Sequence, residues 1–291
     1  MNLDDYNGTC ELTPSENRPI AHRWILSRLN QVSREVNLAL EEFKFNDAAS
    51  SIYRFIWNEY CDWFLELSKS HLYGGDARKE TQNILTYVLE ACLGLLHPFM
   101  PFITEEIWQN LKKRDNPLII QKWREISLID DHNNLSDEIN DLIEIISNIR
   151  SIRVELNIKP KEKLAIEVIN NSEALKIKNL EFYLSKIANI SNITQVSDFS
   201  DKSANFNVNN SQFSLLIPAS IDLKSELSRV VKEEEKLEKE INAISNRLKN
   251  KDFIDKAPKK VVEENKIKIE DMMQNKERLL SSKELIKRLI K

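Results

Sequence analysis

Two groups of side chains in this 291-residue sequence have types and spacing that could do chemistry. The first is aromatic: Tyr53, Phe55, Trp57, Tyr60, Trp63 and Phe64 fall within twelve residues. Rings at the rim of a helical bundle stack on unpaired bases at about 1–3 kcal/mol per base. The second is polar and cationic. Arg23, Arg28 and Arg34 lie off the apolar stripe of one helix, Asn58 lies on the polar side of another, and Lys259, Lys260, Lys266 and Lys268 stud the tail. Such groups suit base edges and phosphates. Each set also has a plainer reading, as buried rings and solvated charges, and periodicity does not separate the two.

No residue set forms a catalytic constellation. Glu105-Glu106 and Asp130-Asp131 are adjacent and therefore diverge on a helix. Ser281-Ser282-Lys283 lies on a charged helix with no pocket to serve. Only four glycines occur, Gly8, Gly74, Gly75 and Gly94, so neither GxGxxG nor GxxxxGK[ST] can be written. Dinucleotide and P-loop chemistry is excluded, because both need backbone to approach phosphate without a Cβ between. The four histidines have no metal-ligand spacing, and the three cysteines are odd in number and far apart, with no CxxC pair. Cys61 and Cys92 sit in apolar helical patterns and are expected to be buried, in a reducing compartment. The residues predict no catalytic group, no cofactor and no metal in this chain.

These side chains need positioning elements. Apolar residues at Ile25, Leu29, Val32, Val36, Leu40 and Phe43 make one helical stripe, with Ser15 or Asn17 as cap and Pro19 in the first turn. After Asn46-Asp47 a second helix places Ala49, Ile52, Tyr53, Ile56, Tyr60, Trp63, Phe64 and Leu67 on one side. Phe55, Trp57 and Cys61 make its other side apolar too, which predicts a central helix. Gly74-Gly75-Asp76 breaks the pattern, a third helix runs through Ile84 to Leu96, and Pro98 and Pro101 turn the chain into a fourth ending near Leu111. Leu118 to Trp123 reads as extended, and Leu135 to Leu156 as a connecting helix.

The period then changes. Leu164–Ile169 and Phe213–Ile217 alternate as strands do, Ile193–Val196 offers a third, Glu173–Ile187 is helical, and the Asn/Ser-rich stretch 189–210 supplies turns. Leu223, Leu227, Val230, Glu234, Leu237, Ile241, Ile244 and Leu248 then form a heptad seam. Val262, Ile269, Met272, Leu279, Ile286 and Ile290 form a second, interrupted at Asn265, Lys276 and Lys283, with Pro258 between the two runs. The reading is mainly α: a lead-in (1–18), a helical bundle (19–125), a connecting helix (126–159), a small α+β module (160–220) and an antiparallel coiled-coil hairpin arm (221–291). Residues 222–291 carry nineteen basic and fifteen acidic side chains, a net +4, so 1–221 carries −8 within the overall −4. A basic arm on an acidic body points to an acidic partner. No run of about 18 apolar residues could span a membrane, and the acidic start is no signal peptide. The expected location is cytoplasmic.

Three runs carry a family resemblance. AHRWILSRLN (21–30), FNDAASSIYRFIWNEYCDWFLELSK (45–69) and LLHPFMPFITEEIWQNL (95–111) resemble the anticodon-binding helical bundle of class I valyl-tRNA synthetases. Isoleucyl and leucyl enzymes share the last more loosely. IRSIRVELNIKPKEKL (149–164) is similar to the segment entering that family's small C-terminal module, and LKNKDFIDKAPKKVVEENK (248–266) to the turn of its coiled-coil arm. The resemblance implies a tRNA(Val)-binding portion used in aminoacylation with valine, with Arg23, Arg28 and Asn58 near the anticodon. Lys259, Lys260, Lys266 and Lys268 would lie along the outer corner of the tRNA, where the D- and T-loops meet. The HIGH and KMSKS signatures and the editing domain are absent from this chain, and MNLDD resembles the stretch entering the bundle. The chain alone is therefore expected to be non-catalytic and monomeric. ATP and magnesium would belong to the full-length family, and the catalytic half to a separate chain or a preceding one. Two other readings stay open here: a coiled-coil assembly protein without RNA function, and a free-standing synthetase-derived RNA-binding protein.

Overall fold

A computed structural model describes residues 18–73, 77–112, 114–123, 133–169, 174–250 and 258–290. The cap at Ser15 or Asn17, Cys10, the Gly74-Gly75-Asp76 break and the arm turn at 251–257 lie outside the described residues. The chain divides into two compact units, Met1–Ile143 and Glu144–Lys291.

The first unit is helical. Helix α1 (Ile20–Glu41) buries Ile25, Leu29, Val32 and Val36 along the stripe its spacing predicts. Phe43 does not join them. It sits just past the helix at φ 59° and is 79% exposed, with its ring edge-on to Phe45. Phe43 N–H donates to Leu40 O (3.1 Å) and Lys44 N–H to Ala39 O (2.7 Å). This is the Schellman stop, which usually has glycine where Phe43 stands. Helix α2 (Phe45–Arg54), a π-helical segment (Phe55–Phe64) and α3 (Leu65–Leu72) then form one continuous rod. Helix α4 (Arg78–Leu96), α5 (Pro101–Leu111) and a single 3-10 turn at Leu118–Ile120, within the stretch read as extended, complete the described bundle before α6 (Asn133–Glu155).

The second rod departs from its predicted face. Ala48, Ile52, Phe55, Tyr60, Phe64 and Leu67 are buried, a series with one step of five between Phe55 and Tyr60. The wider winding of a π-helix inserts that extra residue. Phe55 is thereby brought inward, and Tyr53 and Trp57 are turned outward, 62% and 57% exposed, with rings 4° from parallel at 6.3 Å. Cys61 is exposed as well, contrary to expectation, while Cys92 is buried as expected. The Tyr60 hydroxyl stays satisfied inside by donating to Leu85 O (2.9 Å).

One end of this bundle holds a buried histidine. Thr81 Oγ1 donates its only proton to Ala77 O (2.7 Å), so His22 Nε2–H must be the donor in the 3.1 Å contact with Thr81 Oγ1. His22 Nδ1 is then a bare acceptor, buried without a partner. Burial, then His71 and Arg18, push the pKa of His22 down from 6.5 to about 3.

The second unit has a four-stranded sheet of order β2-β1-β4-β3, from β1 (Leu164–Ile169), β2 (Ile190–Val196), β3 (Ser203–Val208) and β4 (Ser211–Leu216). Helix α7 (Ala174–Ile187) makes the crossover that lets β1 and β2 run parallel, and the other pairings are antiparallel. Strand β3 lies where turns were expected. Its Ala204, Phe206 and Val208 face inward while Asn205 and Asn207 face out, and Asn209 at φ 49° turns the hairpin. Arg153, near the end of α6, is buried and donates to Lys159 O (3.1 Å), Glu162 O (2.9 Å) and Ala188 O (2.9 Å). It thus locks the entry to β1 against the end of α7.

Helices α8 (Leu223–Lys249) and α9 (Lys259–Ile290) pack on each other as the antiparallel arm. Asp222 caps α8 by accepting from Lys224 N–H (3.1 Å) and Ser225 N–H (3.0 Å). Ile241, Ile244 and Met272 form one buried cluster, supported by Leu237, Leu248 and Ile269. The polar interruptions of the seam meet across it: Lys283 pairs with Glu234, and Lys276 Nζ with Glu238 at 2.8 Å. The seam is therefore filled within the chain, with its register set by charge.

Three outcomes follow from this packing. Between pH 6.5 and 3 the unfolded chain protonates His22 and the fold does not, so stability must fall as pH drops through that window. The loss is about 2 kcal/mol at pH 5 relative to pH 7.5, and His22→Gln should flatten the slope in urea titrations. Phe43→Gly should raise stability by about 1 kcal/mol by removing left-handed strain, read as a higher Tm. Lys283→Glu should cost about 1–2 kcal/mol in arm stability, and adding Glu234→Lys should restore most of it in a double-mutant cycle.

Candidate nucleic-acid interface

The π-helical winding has a local consequence on the bundle surface. It carries Asn58, Glu59 and Trp63 beside α1, where with Trp24, Arg28 and the α6 residues Ser136, Asn140 and Ile143 they line a cleft of about 350 Å³. Glu59 enters an otherwise aromatic run and needs a partner at this half-buried position. Arg28 supplies it: Nε donates to Glu59 Oε2 (2.6 Å) and Nη2 to Glu59 Oε1 (2.8 Å), while Nη1 donates to Gln31 Oε1 (2.5 Å). The Glu59 carboxylate raises the pKa of the Arg28 guanidinium, first by hydrogen bonding. The fork is thus held in one orientation, with three of its five N–H groups engaged.

This cleft has the parts that single-stranded RNA recognition uses. The half-buried Trp63 indole offers an apolar wall, and Asn58, Asn140 and Ser136 offer donors and acceptors for the edge of an unpaired base. Arg28 and Asn58, both anticipated from the sequence, come together here. Arg23 does not line the cleft: it lies on α1, half-buried, and its Nε is buried without a hydrogen-bond partner. Sequence reasoning missed Glu59, Trp24, Ser136 and Asn140. The available signal for Glu59 was its place inside FIWNEYCDWF, where it is one of two acids with Asp62, since a half-buried charge within an aromatic run must be paired. The α6 residues gave none.

On the arm, Lys260, Lys266 and Lys268 are exposed along α9. Lys266 Nζ lies 3.6 Å from Glu263, and Lys260 Nζ 4.0 Å from Glu264. The side chain of Lys259, at the first position of α9, lies outside the described residues. Exposed pairs of this kind contribute little to stability, so these ammonium groups can exchange a carboxylate for a phosphate at small cost. Among the described residues no group of His, Cys, Asp and Glu could hold a metal ion, and no helix is long and apolar enough to cross a membrane.

Comparison with known proteins agrees with this division. Residues 22–169 match the anticodon-binding domain of tRNA ligase, and residues 222–287 match the valyl tRNA synthetase tRNA binding arm. The chain is 34% identical to a valine--tRNA ligase of Listeria innocua over 99% of its own length and 33% of the relative's. It is 36% identical to one from Thermotoga maritima, over 99% of this chain and 32% of the relative. With one from Geobacter sulfurreducens the figures are 39%, 92% and 31%. The chain therefore spans about a third of the length of these relatives and corresponds to their carboxy-terminal region. It belongs to the family of tRNA ligase anticodon-binding domains, with the tRNA-binding arm of the valyl branch at its carboxy-terminal side.

Proposed function

We propose that this chain grips tRNA(Val) for aminoacylation with valine in translation, working with a catalytic half carried on a separate polypeptide or on preceding sequence. The bundle holds the anticodon loop, and an unpaired base enters the cleft beside Trp63, where Asn58 meets its edge. The arm lies along the outer corner of the tRNA, with Lys259, Lys260, Lys266 and Lys268 toward the backbone. ATP and magnesium are handled by the other half, because this chain has no glycine-rich phosphate loop. The protein acts as a monomer in the cytoplasm.

The observation that carries this reading is the joint presence of an anticodon-binding bundle and a valyl-type arm in one chain. The ion pairs Glu234–Lys283 and Glu238–Lys276 support the monomer, since they match α8 to α9 of the same chain.

The test is retention of total tRNA by the full chain at low salt, with the bound fraction sequenced. Valine isoacceptors should be enriched, and retention should weaken steeply as salt rises. Asn58→Ala, at an exposed position, should weaken valine tRNA binding about tenfold without moving Tm. Removing 222–291 should lower the salt slope. Equal retention of all isoacceptors would overturn the reading.

A further inference from the structure

The cleft leaves part of the aromatic run unused. Tyr53 and Trp57 face away from the core on the second rod, each more than half exposed, although tryptophan is on average a highly buried residue. They stand four residues apart and so lie over one another on one face of the rod. Their rings are 4° from parallel with centroids 6.3 Å apart, within the range of an offset stack. Tyr53 therefore backs the indole and holds it in one orientation before any ligand arrives, which lowers the ordering cost of a contact to its open side.

The neighbours of this pair define its partner. From Asn46 to Asn58 the exposed positions of the rod carry no aliphatic side chain, so the rings are isolated plates rather than the centre of a contiguous apolar patch. The exposed polar residues beside them are Ser50, Arg54 and Asn58, and Arg54, whose Nη2 reaches Ser51 Oγ at 3.5 Å, is the charged one of these. The exposed acids Asp47 and Asp62 lie more than a turn further along the rod on either side. Parallel rings with a guanidinium between them suit single-stranded nucleic acid, with a base on the π-face and a phosphate at the cation. The surface is also continuous with the cleft, because Trp57 directly precedes Asn58, which lines it.

We propose that Trp57, backed by Tyr53, is a stacking platform for the unpaired base next to the one held in the cleft, and that it adds affinity without regard to base identity. The proposal rests on the function proposed above and divides its labour. Asn58 and its neighbours in the cleft meet the edge of a base, where bases differ, whereas a ring meets the π-face, which every base has. Trp57 is thus a positioning residue for the RNA loop, and the cleft supplies the preference among tRNAs.

The test measures valine tRNA binding by the full chain and its variants across a salt series. Trp57→Ala should weaken binding about five- to hundredfold, with Tm and the preference for valine isoacceptors unchanged. The slope of log affinity against log salt should also stay as it was, since no phosphate contact is removed. Trp57→Phe keeps a ring and should recover most of the loss, and Tyr53→Ala should cost less than Trp57→Ala. With a complementary heptanucleotide annealed across the anticodon loop, no unpaired base remains, and the unmodified chain and Trp57→Ala should bind alike. The proposal is overturned if Trp57→Ala binds valine tRNA as the parent does, or if its loss comes with a lowered Tm, a changed isoacceptor preference or a changed salt slope. Failure of Trp57→Phe to recover binding, or a difference that persists on the annealed loop, would overturn it too. Failure of the tRNA reading is distinguishable, because it appears in the unmodified chain as equal retention of all isoacceptors.

Discussion

The first unit depends on one extra residue in the winding of its second rod. With an α-helical step, Tyr60 and Phe64 would fall out of phase with Ala48 and Ile52, and the core would lose one of its two large phenylalanines or gain an ill-placed tryptophan. The five-residue step from Phe55 to Tyr60 keeps both rings inside. It simultaneously sets Glu59 against Arg28 and leaves Asn58 and Trp63 at the mouth of the cleft. Core packing and the lining of the cleft are therefore coupled through a single backbone irregularity.

The arm solves a different problem. A helix pair of this length and polarity has a narrow apolar seam, and Ile241, Ile244 and Met272 fill only part of it. The ion pairs Glu234–Lys283 and Glu238–Lys276 interrupt it, and Val230, Leu285, Ile286 and Leu289 are buried as well. Crossing charges favour one register over its neighbours, since a slip of one turn would separate both pairs. The side chains left outside α9 are rich in lysine, so the arm presents its net positive charge outward without spending it on its own fold.

Much of this architecture is legible in the sequence where the physical signal is local. The heptad seam repeats over many turns, and Pro101 and Pro19 mark helix starts by their fixed φ. Arg28 and Asn58 could be found because they are polar at positions between apolar stripes. What the sequence hides is non-local or averaged away. A periodicity template of 3.6 fits FIWNEYCDWF equally on both sides, so the inserted residue is invisible and Trp57 and Cys61 are misplaced. Strand β3 is masked by asparagines that occupy only its outer face. Phe43 continues an apolar rhythm that the backbone has already abandoned. Glu59 and Asn140 belong to the cleft only because separate helices are brought side by side.

The proposed function requires the bundle and the arm of one chain to touch two separate parts of one tRNA. Nuclease and chemical footprinting of a valine tRNA bound to the full chain tests it most directly. Protection should appear at the anticodon loop and at the outer corner where the D- and T-loops meet, and the corner protection alone should vanish when residues 222–291 are removed. Protection confined to the acceptor end, or a footprint indifferent to loss of the arm, would contradict it.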